Sequence, residues 1–143
     1  VFVFVYDIKY MLIPNGAILV GLVWIALGLW YFKRLGWGYD FLTGLVIFVF
    51  FFLLYFVSKG RWVGGGDAKL GFMLGLWLGW PVGLVAVLFA YILGAVIGLS
   101  LIISRQVTLK SKVPFGPFLV TGAWIAYLWG EEILRWYGQI LIL

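Results

Sequence analysis

Long uninterrupted apolar runs constrain this chain more than any other feature. The stretches 41–57 and 82–103 contain no charged residue at all. In lipid, segments this apolar must satisfy their own backbone N–H and C=O groups, which only helices or a closed barrel achieve. The runs are continuous rather than alternating in polarity, which favours helices over strands. We therefore expect an all-α integral membrane protein.

The overall composition agrees with this expectation. Of the 143 residues, 66% are hydrophobic and 10% are charged, whereas a soluble domain has roughly 25% charged residues. At ~20 residues per span the length suits one membrane-embedded domain, residues 1–143. We predict a polytopic transmembrane bundle of about six helices. The lipid bilayer is the expected partner, and the charge of +5 is too small and dispersed for a nucleic-acid surface. The oligomeric state is left open.

Short polar segments separate the apolar runs. The chain opens on the apolar stretch Val1–Tyr6 without a methionine, which we interpret as the last turns of a span that begins upstream. The fourth run is short and covers only ~20 Å of the ~30 Å of hydrocarbon, so it either spans with local thinning or is partly re-entrant. The predicted runs are 1–6, 16–32, 41–57, 68–80, 82–103 and 114–129, followed by a terminal helix over 131–143.

The distribution of basic residues predicts the orientation. Loops after the odd-numbered runs hold seven Lys and Arg residues and the other loops hold three, provided that the fourth run crosses. The positive-inside rule then places the first set in the cytoplasm, on an inner-membrane protein. The same parity puts Asp7 and Asp67 on the cytoplasmic side. The first set is Lys9, Lys59, Arg61, Lys69, Arg105, Lys110 and Lys112, and the second is Lys33, Arg34 and Arg135.

The absence of cysteine and histidine narrows the chemistry. It removes zinc sites, cysteine nucleophiles and imidazole bases. We expect neither a metal nor a cofactor. Acid–base chemistry must come from five acids, the lysines or the tyrosines. The acids are Asp7, Asp40, Asp67, Glu131 and Glu132.

Asp67 lies in the polar segment Val63–Leu70, between two apolar runs. Two carboxyl groups held close share one proton, because both cannot ionise cheaply. Such a pair can hydrolyse a peptide bond, with the ionised group activating water and the protonated group donating to the carbonyl oxygen. Asp7, on the same face, is the candidate partner. Lys69 could favour the ionised form of Asp67.

Simpler interpretations of these residues stay open. Asp67 alone could cap a helix that starts at Ala68, and Asp7 alone could be an interfacial charge that ends a span. Lys69 could be an ordinary topology lysine, and Pro14 could be purely structural. The three glycines before Asp67 favour the functional interpretation instead. They have no side chains, so an extended peptide substrate could approach the backbone of Gly64, Gly65 and Gly66 closely.

Three sequence segments together resemble one known family. The first is Gly64-Gly65-Gly66-Asp67 followed by Ala68-Lys69-Leu70, the second is Asp7 followed by Ile13-Pro14-Asn15, and the third is Val113-Pro114-Phe115-Gly116-Pro117-Phe118-Leu119. They are similar, in this order, to the GxGD-x-K-[LF] motif, the first-aspartate segment and a Pro-Phe-Gly-Pro segment of bacterial members of the prepilin peptidases, also called type IV leader peptidases. The three segments agree in order and spacing and cover most of the chain.

The resemblance implies a membrane aspartyl endopeptidase that cuts the basic leader of prepilins and pseudopilins at the cytoplasmic face. It assigns the catalytic roles to Asp7 and Asp67. The implied substrate-binding or site-shaping residues are Pro14, Asn15, Gly64, Gly65, Gly66, Lys69, Pro114, Phe115, Gly116 and Pro117. Many bacterial members also carry paired cysteines linked to N-methylation. This chain has no cysteine, so its residues support peptidase activity and do not support methyltransferase activity. Whether it is the catalytic half of a longer enzyme with both activities or a naturally short relative is left open.

Other functions use the same residues. A presenilin-like protease, which shares the GxGD motif, would cut within a transmembrane substrate. A small ion-coupled transporter would use the two aspartates as ion ligands, and a short, broken fourth helix would suit it. A purely structural membrane subunit leaves three matching segments to coincidence, so we rank it last.

Overall fold

The computed structural model describes residues 2–31, 37–105 and 114–141, and these residues form six helices in chain order. The prediction of an all-α bundle of about six helices is confirmed. The helices are α1 (Phe2–Tyr10), α2 (Asn15–Tyr31), α3 (Trp37–Ser58), α4 (Gly65–Leu78), α5 (Val82–Ile103) and α6 (Gly116–Leu141). Lys33, Arg34, Lys110 and Lys112 of the orientation argument lie outside the described residues.

The last helix differs from the prediction. The structure joins the sixth run and the predicted terminal helix into one helix of 26 residues. Glu131 and Glu132 do not end it, because both side chains point to the exposed side. Polar residues on one exposed face are compatible with a continuous helix. Pro117 is also tolerated because it lies in the first turn, where its missing N–H is not needed.

Helix directions alternate between two ends of the bundle. The α1–α2 and α3–α4 connections and the start of α6 share one cavity at the first end. The last residues of α4 and the first residue of α5 line a second cavity at the other end. The 14 residues of α4 therefore run from one end to the other, although a helix of that length covers only ~21 Å.

Two of the described helices, Gly38–Ser58 within α3 and Val82–Ile103, are long and apolar enough to cross a membrane. The outer surface is also apolar. Side chains such as Trp30, at 80% exposure, and Ile103, at 81%, face outward from the bundle. Contiguous apolar exposure on this scale indicates contact with lipid.

Small residues bring the helices together. Gly71 and Gly75 of α4 lie so close to α3 that a Cβ on Gly75 would be 2.8 Å from the Cα of Gly44. On the other side, a Cβ on Gly122 of α6 would overlap the backbone of Ala86 in α5. Because lipid is as apolar as the helices, association in a membrane depends on this kind of close packing. Within the bundle α4 is central, because it contacts α2, α3, α5 and α6.

Candidate active site

Both predicted catalytic aspartates line one cavity of about 740 Å³ at the first end of the bundle. Neither residue lies in the two long apolar helices. Asp7 comes from α1 and Asp67 from the first turn of α4. The other lining residues are Met11, Leu12, Ile13, Asn15, Gly60, Arg61, Trp62, Val63, Gly64, Gly65, Gly66, Lys69, Pro114 and Phe115.

Asp67 is fixed by the start of its own helix. Its Oδ2 accepts a hydrogen bond of 2.9 Å from the backbone N–H of Gly64, the N-cap residue of α4. The sequence interpretation expected a helix that starts at Ala68 with Asp67 as its cap. That detail is wrong: the helix starts at Gly65, and Asp67 reaches back from the third helical position. The glycine run extends the helix by a turn because Gly64 adopts the extended conformation that an N-cap requires.

Asp7 is held at the junction of α1 and α6. Its side chain is 4% exposed, and within the described residues its buried Oδ2 has no hydrogen-bond partner. The neighbour from α6 is Gly116, where a Cβ would overlap Asp7 Oδ2. Glycine at this position therefore gives the carboxyl group its space.

Burial dominates the electrostatics of the pair. Burial raises the pKa of Asp67 to about 6, while the Gly64 N–H opposes this shift and the charge of Asp7 adds to it. Burial also raises the pKa of Asp7, with the backbone N–H of Gly116 acting in the opposite direction. The two carboxyls interact, so they titrate as a pair. Lys69 is not among the groups that shift the pKa of Asp67, contrary to our expectation.

Lys69 instead joins two segments of the site. Its Nζ donates a hydrogen bond of 2.8 Å to Asn15 Oδ1, across 54 positions of sequence. One turn earlier in α4, a Cβ on Gly66 would be 3.0 Å from Ile13 Cβ. These contacts hold the α1–α2 connection against the start of α4, and so hold the two aspartates on one cavity.

Three predicted site residues, Pro14, Gly116 and Pro117, lie outside the cavity wall. The carbonyl of Pro14 accepts hydrogen bonds from the N–H groups of Ala17 and Ile18. These two hydrogen bonds form the first turn of α2. Pro117 lines a neighbouring groove with Phe4 and Ile8 rather than the aspartate cavity. Pro114 and Phe115 do line the cavity, and Gly116 packs against Asp7.

Sequence reasoning missed some residues around the site. Arg61 and Trp62 line the cavity, yet the sequence gave Arg61 only a topological role. Tyr91 lies behind the wall, in the middle of the apolar helix α5, and its ring packs on Phe115 at 5.1 Å between centroids. A polar group in the middle of an apolar run is a recognisable sequence signal, because membrane interiors disfavour it.

Fold and site together define a helical membrane protein with a buried pair of carboxyl groups facing one cavity. Residues 1–99 match the model of the type IV leader peptidase family, and the chain belongs to this family. It is 35% identical to a prepilin leader peptidase/N-methyltransferase of Aeromonas salmonicida over 91% of this chain and 38% of that protein. Similar proteins of the same name come from Pseudomonas aeruginosa, 33% identical over 93% of this chain and 47% of that protein, and from Bacillus subtilis, 30% identical over 99% and 57%.

The chain thus spans about half the length of these curated relatives. No solved structure matches it.

The raised pKa of Asp67 predicts a dependence of stability on pH. A folded-state pKa above the unfolded value of 3.8 contributes stability that is complete below pH 3.8 and is lost as the pH rises through about 6. A pKa shift of this size at Asp67 corresponds to a change of ~3 kcal/mol in the free energy of unfolding. We expect the free energy of unfolding to fall between pH 4 and 7, and Asp67→Asn to flatten this decline. Chemical unfolding in detergent measures both. An unchanged slope in Asp67→Asn would contradict the assignment.

The contact between Gly116 and Asp7 predicts a coupled pair of mutations. Gly116→Ala should destabilise the protein by about 1–3 kcal/mol, the usual cost of overpacking, because the new Cβ overlaps the carboxyl group. Gly138→Ala is the matched control, since it lies on the same helix with open space around it. In an Asp7→Ala background the cost of Gly116→Ala should largely vanish. Additive losses in a double-mutant cycle would show that the two sites are independent.

Proposed function

We propose that this chain is an aspartic endopeptidase that cleaves the leader peptide of prepilin-like or pseudopilin-like substrates at the cytoplasmic face of the inner membrane. The observation that carries the proposal is the placement of two buried, interacting carboxyl groups on one cavity. Membership of the type IV leader peptidase family supports it. So do the relatives named prepilin leader peptidases.

The pair is suited to hydrolysis when it holds one proton. The ionised carboxyl removes a proton from a water molecule, whose oxygen attacks the carbonyl carbon of the peptide bond. The protonated carboxyl donates its proton to the carbonyl oxygen. When the tetrahedral intermediate collapses, the C–N bond breaks and the leaving amine takes up a proton. The products are a new carboxyl end and a new amino end.

The two carboxyl groups share the single proton of the reactive pair. Burial raises the pKa of both residues, to about 6 for Asp67, and the charge of Asp7 adds to the shift at Asp67. A backbone N–H favours the ionised form on each side, from Gly116 at Asp7 and from Gly64 at Asp67. The singly protonated pair is depleted as the pH rises above about 6.

The cavity wall fits an extended peptide. Gly64 and Gly65 are exposed and leave backbone groups of the wall accessible, without side chains in the way. The Lys69–Asn15 hydrogen bond fixes the neighbouring wall. The relatives are named for two activities, leader peptidase and N-methyltransferase. A carboxylate pair accounts for the peptidase activity, so we propose peptide cleavage alone.

The distribution of charge supports a cytoplasmic active site. Arg61 and Lys69 line the aspartate cavity, and Lys59 lies in the adjacent connection. At the other end, α6 has Glu131, Glu132 and Arg135, with an ion pair of 3.3 Å between Glu131 and Arg135. Since positive residues mark the cytoplasmic side, the aspartate end is proposed to face the cytoplasm.

The decisive test is loss of each carboxyl group. Asp7→Asn and Asp67→Asn, assayed in proteoliposomes on a peptide with a basic leader, should each lower kcat by at least ~10³-fold, because neither variant can form the singly protonated pair. Glu132→Gln is the matched control. It removes a carboxyl group ~24 Å along α6 from Gly116 and should keep full activity.

Full cleavage by either aspartate variant would refute the proposal. So would ion flux through liposomes without any cleavage, which would favour a transporter. Cleavage within a transmembrane substrate, rather than after a basic leader, would favour a presenilin-like protease.

The absence of cysteine makes the orientation directly measurable. We expect a single cysteine at Lys59 to react with a membrane-impermeant maleimide only in inverted vesicles, and one at Glu132 to react only in right-side-out cells. Both side chains are exposed and lie near opposite ends of the bundle. The reverse labelling pattern would place the aspartates on the outer side.

A further inference from the structure

A second, smaller groove lies beside the aspartate cavity, between α1, α5 and α6. Its volume is about 340 Å³. Each of the three helices contributes a pair of residues spaced four positions apart, and such a pair lies on one face of its helix. The pairs are Phe4 and Ile8, Leu93 and Ile97, and Pro117 and Thr121. The peptidase mechanism given above does not use this groove.

The groove and the aspartate cavity share a wall. Pro114 lines both of them. Next to it, Phe115 lines the cavity and Phe118 lines the groove, and their ring centroids are 6.1 Å apart. On α1, Asp7 lines the cavity and the following residue, Ile8, lines the groove. A peptide bound in the cavity therefore has the groove directly beside it.

The groove is apolar, in contrast to the cavity. In the part of the chain that the structure describes, no charged side chain lines it, and its one hydroxyl, on Thr121, already donates to the carbonyl of Pro117 at 2.8 Å. The cavity wall instead contains Arg61 and Lys69 in addition to the two aspartates. Because burying an unpaired charge is costly, the groove excludes a basic segment and accepts an apolar one.

The groove leads away from the carboxyl pair toward the interior of the membrane. On α1, Phe4 lies ~4.5 Å further from the first end of the bundle than Asp7 does, and on α5, Ile97 lies ~9 Å before the end of the helix. The groove also opens outward, since Ile8 is 52% exposed and Ile97 is 44% exposed. An apolar segment in the bilayer thus has a direct path into the groove.

We propose that this groove binds an apolar segment of the peptide substrate, on the side of the scissile bond away from the basic leader. The inference rests on the proposed function and adds a binding site for the part of the substrate that follows the leader. When the scissile bond lies at the carboxyl pair, the basic leader remains on the polar side of the cavity, and the following residues pass Pro114 into the groove. Pro117, which lies outside the aspartate cavity, then belongs to the substrate site.

Two peptide substrates test the inference. They share the basic leader and the scissile bond, and the residues after the bond are apolar in one and polar in the other. In the full chain in proteoliposomes, Ile97→Trp fills the groove and should raise KM for the apolar peptide ~10-fold relative to KM for the polar one, as for a lost contact in an apolar pocket. Partition of the peptides into lipid is the same for every variant, so it cancels when the KM ratios of two variants are compared.

Leu99→Trp is the matched control. Leu99 is also an exposed apolar residue of α5, and it lines neither the groove nor the aspartate cavity. This variant should keep the KM ratio of the unmodified chain. If Ile97→Trp keeps that ratio as well, the inference is wrong, and a groove filled by lipid alone gives this result.

Disulfide cross-linking tests the same contact without catalysis, because the chain has no cysteine of its own. In an Asp67→Asn background, which leaves the substrate uncut, Ile97→Cys should form a disulfide with a cysteine placed just after the scissile bond and not with one in the leader. Leu99→Cys should react with neither. Absence of the Ile97→Cys cross-link, or equal cross-linking to the leader, overturns the inference even if the tryptophan variant misfolds.

These failures are separate from failure of the proposed function. Loss of cleavage in Asp67→Asn, together with no cross-link at the groove, overturns the groove assignment alone. Full cleavage by Asp67→Asn overturns the proposed function and the inference that rests on it.

Discussion

Two carboxyl groups withdrawn from water at the end of a membrane bundle impose the main energetic constraint on this structure. Desolvation disfavours their charged forms, and each charge disfavours the other. The fold makes this arrangement possible with few compensating groups. The Gly64 N–H binds Asp67, and the N–H of Gly116 faces Asp7. A cost of this kind, concentrated on one cavity, is typical of a functional site, where stability is given up for reactivity.

The pair depends on close helix packing several turns away. Asp67 is positioned by α4, whose glycines allow its backbone to approach that of α3 and which also contacts α6. Asp7 is positioned by α1 against the start of α6. Neither helix is one of the two long apolar helices. The long helices thus provide the membrane-embedded frame, and the short ones carry the carboxyl groups.

The shortness of α4 has a structural consequence at each end. Its N-terminus lies at the aspartate cavity, where the first turn fixes Asp67. Its C-terminus falls short of the bilayer thickness by ~9 Å, and there a larger cavity of about 910 Å³ is lined by Trp24, Trp77 and Tyr127. The predicted terminal helix, joined to α6, forms another part of that wall through Glu131 and Glu132. The two ends of the bundle therefore differ in chemistry: one has glycines and two aspartates, and the other has aromatic rings and an exposed ion pair.

The sequence by itself determined the helical membrane class, and it predicted about six helices and a site that contains both Asp7 and Asp67, because apolar runs, charge parity and three short segments are local or nearly local signals. The tertiary structure decided the rest. The position of Asp67 within α4, the hydrogen bond from Lys69 to Asn15 and the space that Gly116 leaves for Asp7 all depend on residues far apart in the chain. Tyr91 shows the difference most clearly. In the sequence it is one tyrosine in an apolar run, and only the packing of α3, α5 and the start of α6 brings its ring against Phe51 and against Phe115 in the wall of the aspartate cavity.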